Sequence, residues 1–294
     1  MEMLRNADFF RYCRVAFLFS MELWQAFVLG AVQGMTEFLP VSSSGHLVLV
    51  EELFGLKVEH LLSFDIVLHT GTLVALLVYF WRDLVWMSKG LWVDLKRMLK
   101  IEAGHSLRDP EHPREQVWLL IVATLPIVFL APFMKDFIEQ YFRNSSMVVM
   151  MLGVTAVFLA TAEIFGKKTE GKVNSVKVAL VMGLFQVLAV TPGISRSGST
   201  IVGGLLGGLT REAAARFSFL MAIPAIAGAT VFVLKDYEQL LQESTSISVL
   251  VVGFLSSMVV SFICMYGMLK FLRNRSLWVF VLYLVGVNLY FFLR

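Results

Sequence analysis

The sequence has few charged residues for its length. Only 16% of its 294 residues are Asp, Glu, Lys or Arg, whereas 57% are hydrophobic, and the mean hydropathy is +0.75. Soluble globular chains carry about 25% charged residues, so this composition excludes an ordinary water-soluble fold. Twenty-five Lys and Arg against 22 Asp and Glu leave a net charge of only +3, which is too small for the basic surface that binds nucleic acid.

Cysteine is equally scarce. The two cysteines, Cys13 and Cys264, lie in the N-terminal segment and within an apolar run, and they form neither a CxxC motif nor a metal-ligand spacing. We therefore expect neither a disulfide nor a zinc site.

Long apolar runs make up much of the chain. Crossing about 30 Å of hydrocarbon takes about 20 helical residues, and six runs are long enough or nearly so: 64–81, 117–134, 147–165, 217–234, 248–269 and 277–293. None shows the alternation of a barrel strand, and a backbone in lipid must satisfy its own hydrogen bonds. The sequence predicts an all-α polytopic membrane protein with six spanning helices.

Two further apolar stretches, 22–56 and 176–209, are interrupted by polar clusters. The first is broken at 39–46 (LPVSSSGH) and the second at 191–200 (TPGISRSGST). Irregular backbone at membrane depth is tolerated only where protein buries it or a wet cavity lines it. Because each cluster is too long for a simple proline kink, we predict two re-entrant helix-loop-helix segments. A kinked spanning helix is the alternative.

The two broken segments also match each other. A shift of 153 positions without gaps aligns Gly30 with Gly183, Gln33 with Gln186, Ser42 with Ser195, Ser44 with Ser197, and Gly45 with Gly198. Paired interrupted helices that meet at a central site are typical of duplicated membrane proteins. We predict an inverted internal repeat within one domain, 21–294, with halves of about 21–146 and 147–294.

Positively charged residues orient the predicted bundle. Sixteen of the 25 Lys and Arg lie in the connectors 82–116, 166–177, 210–216 and 270–276, against five in the connectors of the other side. Because cytoplasmic loops are enriched in Lys and Arg, the first group is predicted to be cytoplasmic. Segment 22–56 then enters the bilayer from outside and 176–209 from inside. Glu163, near the end of its run, is expected to be solvated among the headgroups.

Residues 1–20 fit this arrangement poorly, because Arg5, Arg11 and Arg14 would lie outside. The segment lacks the small-residue cleavage site of a secretory signal. We predict a short interfacial tail, with Met21 as the true initiator in the alternative interpretation.

Arg196 is the only Lys or Arg outside the connectors and the tail, and it lies in the middle of the second broken segment. An arginine at membrane depth costs from about 3 to over 10 kcal/mol, so it normally faces a cavity or a partner. Glycines and hydroxyls ahead of a helix N-terminus suit a phosphate. The residues that supply them are Gly193, Ser195, Ser197, Gly198 and Thr200. The alternative is that Arg196 pairs with Glu37 and only fixes helix packing.

The first broken segment supplies groups typical of catalysis. It places an acid, three hydroxyls and an imidazole within ten residues: Glu37, Ser42, Ser43, Ser44 and His46. A buried carboxylate must be neutralised or bind a cation, so beside a phosphate we expect Mg²⁺ or Ca²⁺ with Glu37 as the first ligand. Gln33, one turn earlier on the same helix face, is expected to add an amide oxygen or to bind substrate.

These clusters resemble the motifs of a known family. The stretches QGMTEFLPVSSSGH at 33–46 and PGISRSGST at 192–200 closely resemble the two signature motifs of bacterial undecaprenyl-diphosphatases of the bacitracin-resistance type, and a looser likeness extends from about Met21 to the C-terminus. The resemblance implies hydrolysis of undecaprenyl diphosphate, recycling of the lipid carrier for cell-wall synthesis, and bacitracin resistance. It also implies a divalent-cation requirement and an inner-membrane location with the active site facing the periplasm.

The resemblance assigns roles by position. Glu37 falls in the acidic metal-related motif, Ser43 and His46 in the catalytic loop, and Arg196 in the diphosphate clamp. Gln33 is a departure, because many members have Glu there, and the expected metal site loses one charge. Ser43 activated by His46 is the favoured nucleophile; water with His46 as base, and direct attack by His46, remain open.

The expected partners are a polyprenyl diphosphate substrate and membrane lipid, with no nucleic acid, and the sequence leaves a homodimer open. Duplicated broken helices are also typical of carriers. A polyprenyl-phosphate flippase is therefore the alternative function.

Overall fold

The computed structural model describes residues 21–56, 61–98, 113–141, 144–166, 175–233 and 246–293. Within these ranges the chain forms eleven α-helices and no strand. The helices are α1 (Leu23–Thr36), α2 (Ser43–Leu53), α3 (Leu62–Tyr79), α4 (Trp81–Met98), α5 (Pro113–Tyr141), α6 (Ser145–Phe165), α7 (Val176–Leu188), α8 (Arg196–Leu206), α9 (Arg211–Val233), α10 (Ile247–Asn274) and α11 (Trp278–Leu293). The tail predicted for 1–20 lies outside the described residues.

Four of the six predicted spans are helices long and apolar enough to cross a membrane. They are Pro113–Met134, Ser145–Phe165, Arg211–Val231 and Ile247–Asn274. The run predicted at 64–81 ends in a bend of 71° between α3 and α4, and this bent pair is a fifth candidate. The last run forms α11, whose 16 residues extend only about 24 Å. The polytopic helical class is thus confirmed, with four or five candidate spans among the described residues.

Helix α4 occupies a region that the sequence assigned to a charged connector. Its charged side chains lower the local hydropathy, yet Trp81, Trp86 and Trp92 lie exposed along it. Because charges and aromatic residues alternate here, no long apolar run marks the helix. The connector predicted at 82–116 therefore begins with 17 helical residues of α4, up to Met98.

Each broken segment folds back on itself as a helical hairpin. In the C-terminal hairpin, α7–α8, a Cβ built on Gly203 would lie 3.1 Å from the Met182 Cα, and one on Gly207 would lie 2.9 Å from Val178 Cγ1. Residues later in α8 thus contact residues earlier in α7, which is antiparallel packing. In the N-terminal hairpin, α1–α2, the Trp24 ring at one end lies 5.0 Å from that of Phe54 at the other. A continuous kinked helix is excluded for both segments.

The matched serines of the two hairpins have the same local role. Ser42 precedes α2, and its hydroxyl accepts a hydrogen bond from the Gly45 N–H at 3.3 Å. Ser195 precedes α8, and its hydroxyl accepts one from the Gly198 N–H at 3.0 Å. In each turn this capping hydroxyl also lies close to the serine two residues later, at 3.4 Å and 3.2 Å. The serine and glycine matches found in the sequence are therefore matches of helix capping as well.

The matched glycines Gly30 and Gly183 both allow a close helix crossing. A Cβ on Gly30 would lie 2.6 Å from the carbonyl oxygen of Gly253 in α10, and one on Gly183 would lie 2.3 Å from that of Ala123 in α5. Any larger residue would force these helices apart. The first helix of each hairpin thus packs closely against a long helix from the other half of the chain.

Ion pairs join several connectors at one end of the bundle. Arg211 binds both carboxylate oxygens of Glu163, at 2.8 and 2.6 Å, and the Glu163 Oε1 also accepts a 2.6 Å hydrogen bond from the Leu277 N–H. Arg273 pairs with Glu212 at 2.7 Å. The carboxylate of Glu163 is buried at 4% exposure, so the headgroup solvation predicted for it is wrong. These contacts join the connectors 210–216 and 270–276 to each other and to the end of α6, just before the connector 166–177.

Candidate active site

The turns of the two hairpins meet in the interior of the bundle. We call residues 37–42 the first turn and residues 189–195 the second turn. The Ser197 hydroxyl, just after the second turn, donates a 3.0 Å hydrogen bond to the Leu39 carbonyl in the first. A Cβ on Gly45 would lie 3.3 Å from the Gly193 Cα. The interrupted segments therefore come together as the sequence predicted.

Unusual backbone marks both turns. Gly193 has φ +89°, and Ser42 has φ +73°, the one positive φ among the described non-glycine residues. A positive φ is strained for a residue with a Cβ and persists only where the surrounding structure enforces it, often at functional sites. The strain at Ser42 lies directly before Ser43, a predicted catalytic residue.

Glu37 is the centre of the polar cluster between the turns. Its Oε1 accepts a hydrogen bond from Arg196 Nη2 at 2.6 Å, and its Oε2 accepts one from the Ser43 hydroxyl at 2.6 Å and one from Gln33 Nε2 at 3.0 Å. The carboxylate is only 6% exposed. One buried anion thus holds a residue of the second hairpin and two of the first in a single constellation.

His69 belongs to this cluster although the sequence did not single it out. Its Nε2 lies 3.9 Å from Glu37 Oε2, and its Nδ1 is 2.7 Å from the Asp65 carbonyl oxygen on the same helix. Because that carbonyl can only accept, Nδ1 carries a proton. His69 lies on α3, far from both motifs, and no spacing to another ligand marks it in the sequence.

Arg196 keeps donors available after pairing with Glu37. Its Nη1 donates to the Ser218 carbonyl at 3.1 Å, so two of the five guanidinium N–H groups are used by these two contacts. The side chain is 14% exposed. The pairing considered as the alternative from sequence is present, and the remaining N–H groups can still bind an anion.

His46 is not bonded to Ser43, the partner that the sequence favoured. The ring Nδ1 lies 2.8 Å from the Ser42 carbonyl oxygen, and Nε2 lies 2.8 Å from the Tyr283 hydroxyl. The Ser43 hydroxyl donates to Glu37 instead. The nearest proton acceptor for Ser43 is therefore the carboxylate.

Several residues predicted to bind substrate are buried and hold the turns instead. Thr155 of α6 accepts a hydrogen bond from the Ser195 N–H at 3.1 Å and donates one to the Gly193 carbonyl at 3.1 Å. The Thr200 hydroxyl lies 2.6 Å from that of Ser218. With the capping and turn-to-turn contacts described above, all five residues of the second broken segment predicted to bind substrate contact protein instead. They are Gly193, Ser195, Ser197, Gly198 and Thr200. The polar groups left partly exposed are Ser43, Ser44, Arg196 and His69.

The donor set fits a magnesium ion shared with a phosphate better than an all-protein calcium site. Ca²⁺ needs six to eight oxygen ligands. Among the described residues, no three His, Cys, Asp or Glu side chains are grouped to hold a metal, so the protein side chains alone do not supply that number. The Gln33 Oε1 is buried without a hydrogen-bond partner, and it lies on the residue that contacts the Glu37 carboxylate. Mg²⁺ commonly takes one or two carboxylates and completes its shell with water and substrate phosphates.

Comparison with known proteins places this constellation in a family. Residues 26–290 match the family described as Bacitracin resistance protein BacA. A relative from Methanosphaera stadtmanae named undecaprenyl-diphosphatase is 42% identical over 276 residues, which cover 91% of this chain and 96% of the relative. One from Rubrobacter xylanophilus with the same name is 41% identical over 265 residues, covering 90% and 94%.

A third undecaprenyl-diphosphatase, from Pelobacter propionicus, is 40% identical over 266 residues and covers 90% of this chain and 93% of its own length. The family match, residues 26–290, contains both turns, every residue of the Glu37 cluster and both hairpins except the first three residues of α1. The chain therefore belongs to the BacA family of bacitracin resistance proteins.

Proposed function

We propose that this protein hydrolyses undecaprenyl diphosphate to undecaprenyl phosphate and inorganic phosphate. Such an activity recycles the lipid carrier of cell-wall synthesis and confers bacitracin resistance. Family membership and the names of the relatives support this assignment over a flippase. The observation that carries it is the Glu37–Arg196 pair at the junction of the two turns, with the Ser43 hydroxyl on the same carboxylate.

Arg196 is proposed to bind the diphosphate. Phosphoryl transfer depends mainly on positioning and charge neutralisation, and a guanidinium matches two phosphate oxygens with parallel N–H donors. Glu37 and the Ser218 carbonyl hold the guanidinium in place through the Nη atoms. The pair with Glu37 thus orients Arg196 and need not prevent it from binding an anion.

Ser43 is proposed as the nucleophile, with Glu37 rather than His46 as the acceptor of its proton. As the Ser43 oxygen bonds to the terminal phosphorus, its proton passes along the 2.6 Å contact to Glu37, and the bond from that phosphorus to the bridging oxygen breaks. Undecaprenyl phosphate leaves. This changes the role expected from sequence, because the structure pairs His46 with Tyr283.

Water then hydrolyses the phosphoserine. His46 takes a proton from the attacking water, the phosphorus–Oγ bond breaks, and Glu37 returns its proton to the Ser43 oxygen. His46 finally releases its proton to the departing phosphate, so the site is restored. Attack by water on the diphosphate directly, with His46 as base, is the alternative that a Ser43 variant distinguishes.

Glu37 and Gln33 are the residues that would hold a divalent cation, Mg²⁺ in preference to Ca²⁺. When bound, such an ion neutralises charge on the phosphate oxygens. Ser44, partly exposed beside Ser43, is proposed to donate to the same headgroup, and the buried residues of the second turn position Arg196.

We infer that the two halves form an inverted repeat in the inner membrane, with six crossings and re-entrant hairpins. The equivalent serine caps and the reciprocal packing of α1 on α10 and of α7 on α5 support this inference. The charge asymmetry supports a cytoplasmic location for the ion-paired end and, with it, a site that opens to the periplasm. A homodimer stays a prediction, to be checked by the mass of the detergent-solubilised protein.

Product analysis with purified protein in detergent tests the function. We expect one inorganic phosphate and one undecaprenyl phosphate per undecaprenyl diphosphate consumed, and a loss of at least about 10²-fold in Glu37→Ala and Arg196→Ala. Arg275→Ala, at an exposed position after α10, is the matched control and should retain full activity. Intact binding of the lipid without phosphate release would overturn the proposal in favour of the flippase.

A further inference from the structure

Tyr283 connects the C-terminal helix α11 to the first turn. Its hydroxyl lies 2.8 Å from His46 Nε2, and the two rings are nearly parallel, at 13° with centroids 5.6 Å apart. Helix α11 belongs to neither hairpin and carries no part of either motif. The contact between Tyr283 and His46 therefore arises from tertiary packing and could not be predicted from the motif residues alone.

The contacts of His46 fix its tautomer. The Ser42 carbonyl oxygen, 2.8 Å from Nδ1, can only accept a hydrogen bond, so Nδ1 carries the proton of the neutral ring. Nε2 then has the lone pair, and the Tyr283 hydroxyl must be the donor in the second contact. The direction of both hydrogen bonds follows from one backbone carbonyl.

The same contacts restrict how a proton reaches His46. Both ring nitrogens are occupied and the residue is 8% exposed, whereas Tyr283 is 47% exposed. Nε2, the nitrogen able to take a proton, is covered by the Tyr283 hydroxyl. That hydroxyl oxygen retains lone pairs that can accept a hydrogen bond while its own proton points at Nε2.

We propose that Tyr283 relays the proton between the attacking water and His46. As water attacks phosphorus, its proton bonds to the Tyr283 oxygen, and the proton of that hydroxyl passes to Nε2. The water O–H and tyrosine O–H bonds break, a new tyrosine O–H and an Nε2–H form, and the tyrosine ends neutral. The relay rests on the proposed function, in which His46 is the base of the hydrolytic step.

Tyr283→Phe tests the relay, because it removes the hydroxyl and keeps the ring. We expect kcat to fall at least about 10-fold and KM to fall with it, leaving kcat/KM unchanged, because the relay acts only in the hydrolysis of the phosphoserine and a general base contributes roughly 10²- to 10⁴-fold. In a His46→Ala background the same substitution should cause no further fall, because the two groups act as one unit. Tyr290 is exposed later on the same helix. Tyr290→Phe is therefore the matched control and should leave kcat and KM at their wild-type values.

A second readout does not require turnover. In ¹⁵N-histidine-labelled protein, assigned with His46→Gln, the His46 Nε2 signal should move downfield in Tyr283→Phe and stay in place in Tyr290→Phe. An unmoved signal would overturn the hydrogen bond, and a moved signal with wild-type kcat would overturn the relay. Absence of hydrolysis by the wild-type protein would overturn the proposed function together with the relay, a result distinguishable from either of these.

Discussion

Separating the structural and catalytic contributions of the Glu37–Arg196 pair requires changing each residue alone and both together. The two side chains are 6% and 14% exposed and 2.6 Å apart. Glu37→Gln leaves a buried guanidinium without its anion, and Arg196→Met leaves a buried carboxylate without its cation. Removing one partner of a buried pair costs on the order of 3 kcal/mol in the free energy of unfolding, because the remaining charge is uncompensated.

The double variant, Glu37→Gln with Arg196→Met, removes both charges. Replacing a whole buried ion pair by neutral side chains is often close to neutral for stability, so we expect most of the lost free energy of unfolding to return. Activity should not return, because the diphosphate still lacks the guanidinium. All three variants are expected to hydrolyse undecaprenyl diphosphate at least about 10²-fold more slowly than the wild type.

Two measurements on the same detergent preparations distinguish a structural from a catalytic role of the Glu37–Arg196 pair. Denaturant titration measures stability, and phosphate release measures activity. Recovery of both stability and activity in the double variant would show that the pair only fixes helix packing. That is the alternative left open by the sequence, and it would remove Arg196 from the binding site.

Four further results are expected. Ser43→Ala should lower the rate of phosphate release at least about 10²-fold, as expected for loss of a nucleophile. Ser248→Ala, at an exposed position at the start of α10, is the control and should leave the rate unchanged. Full activity in Ser43→Ala would favour direct attack by water. His46→Ala should cost at least about 10²-fold in kcat, and a near-normal rate would exclude it as the base. Gly183→Ala should lower the free energy of unfolding by about 1–3 kcal/mol, because its Cβ would lie 2.3 Å from the Ala123 carbonyl oxygen. Gly286→Ala is the control, because a Cβ there meets nothing within 4 Å. Equal stabilities of the two variants would contradict the close crossing of α7 and α5. Chelation with EDTA should abolish hydrolysis, and Mg²⁺ should restore it; persistence would show that Arg196 alone neutralises the phosphates.

The hairpins and their turns could be predicted from the sequence because local chemistry specifies them. Polar clusters around Pro40 and Pro192 interrupt apolar stretches, and each includes a serine and a glycine at the spacing of a helix cap. Such caps are short-range features. The pairing of Arg196 with Glu37 could be anticipated for a related reason, since two buried charges in apolar segments need partners.

Features that depend on tertiary packing could not be predicted in this way. His69 and Tyr283 reach the site from α3 and α11, and neither lies in a pattern that marks it in the sequence. In the sequence Glu163 is only an acid near the end of an apolar run, and the contacts with Arg211 and the Leu277 N–H arise from the fold. Helix α4 was missed because its charges interrupt the apolar run on which a span prediction depends.

The central claim is that the two turns form a single site for one diphosphate, so the most direct test is the initial rate of phosphate release when each turn is altered separately. Glu37→Gln changes the first turn, and Arg196→Lys changes the residue that follows the second, keeping its charge but losing the planar donors. We predict that each lowers the rate of undecaprenyl diphosphate hydrolysis by at least about 10²-fold, while Arg275→Lys leaves it unchanged. A wild-type rate in either variant would contradict the claim.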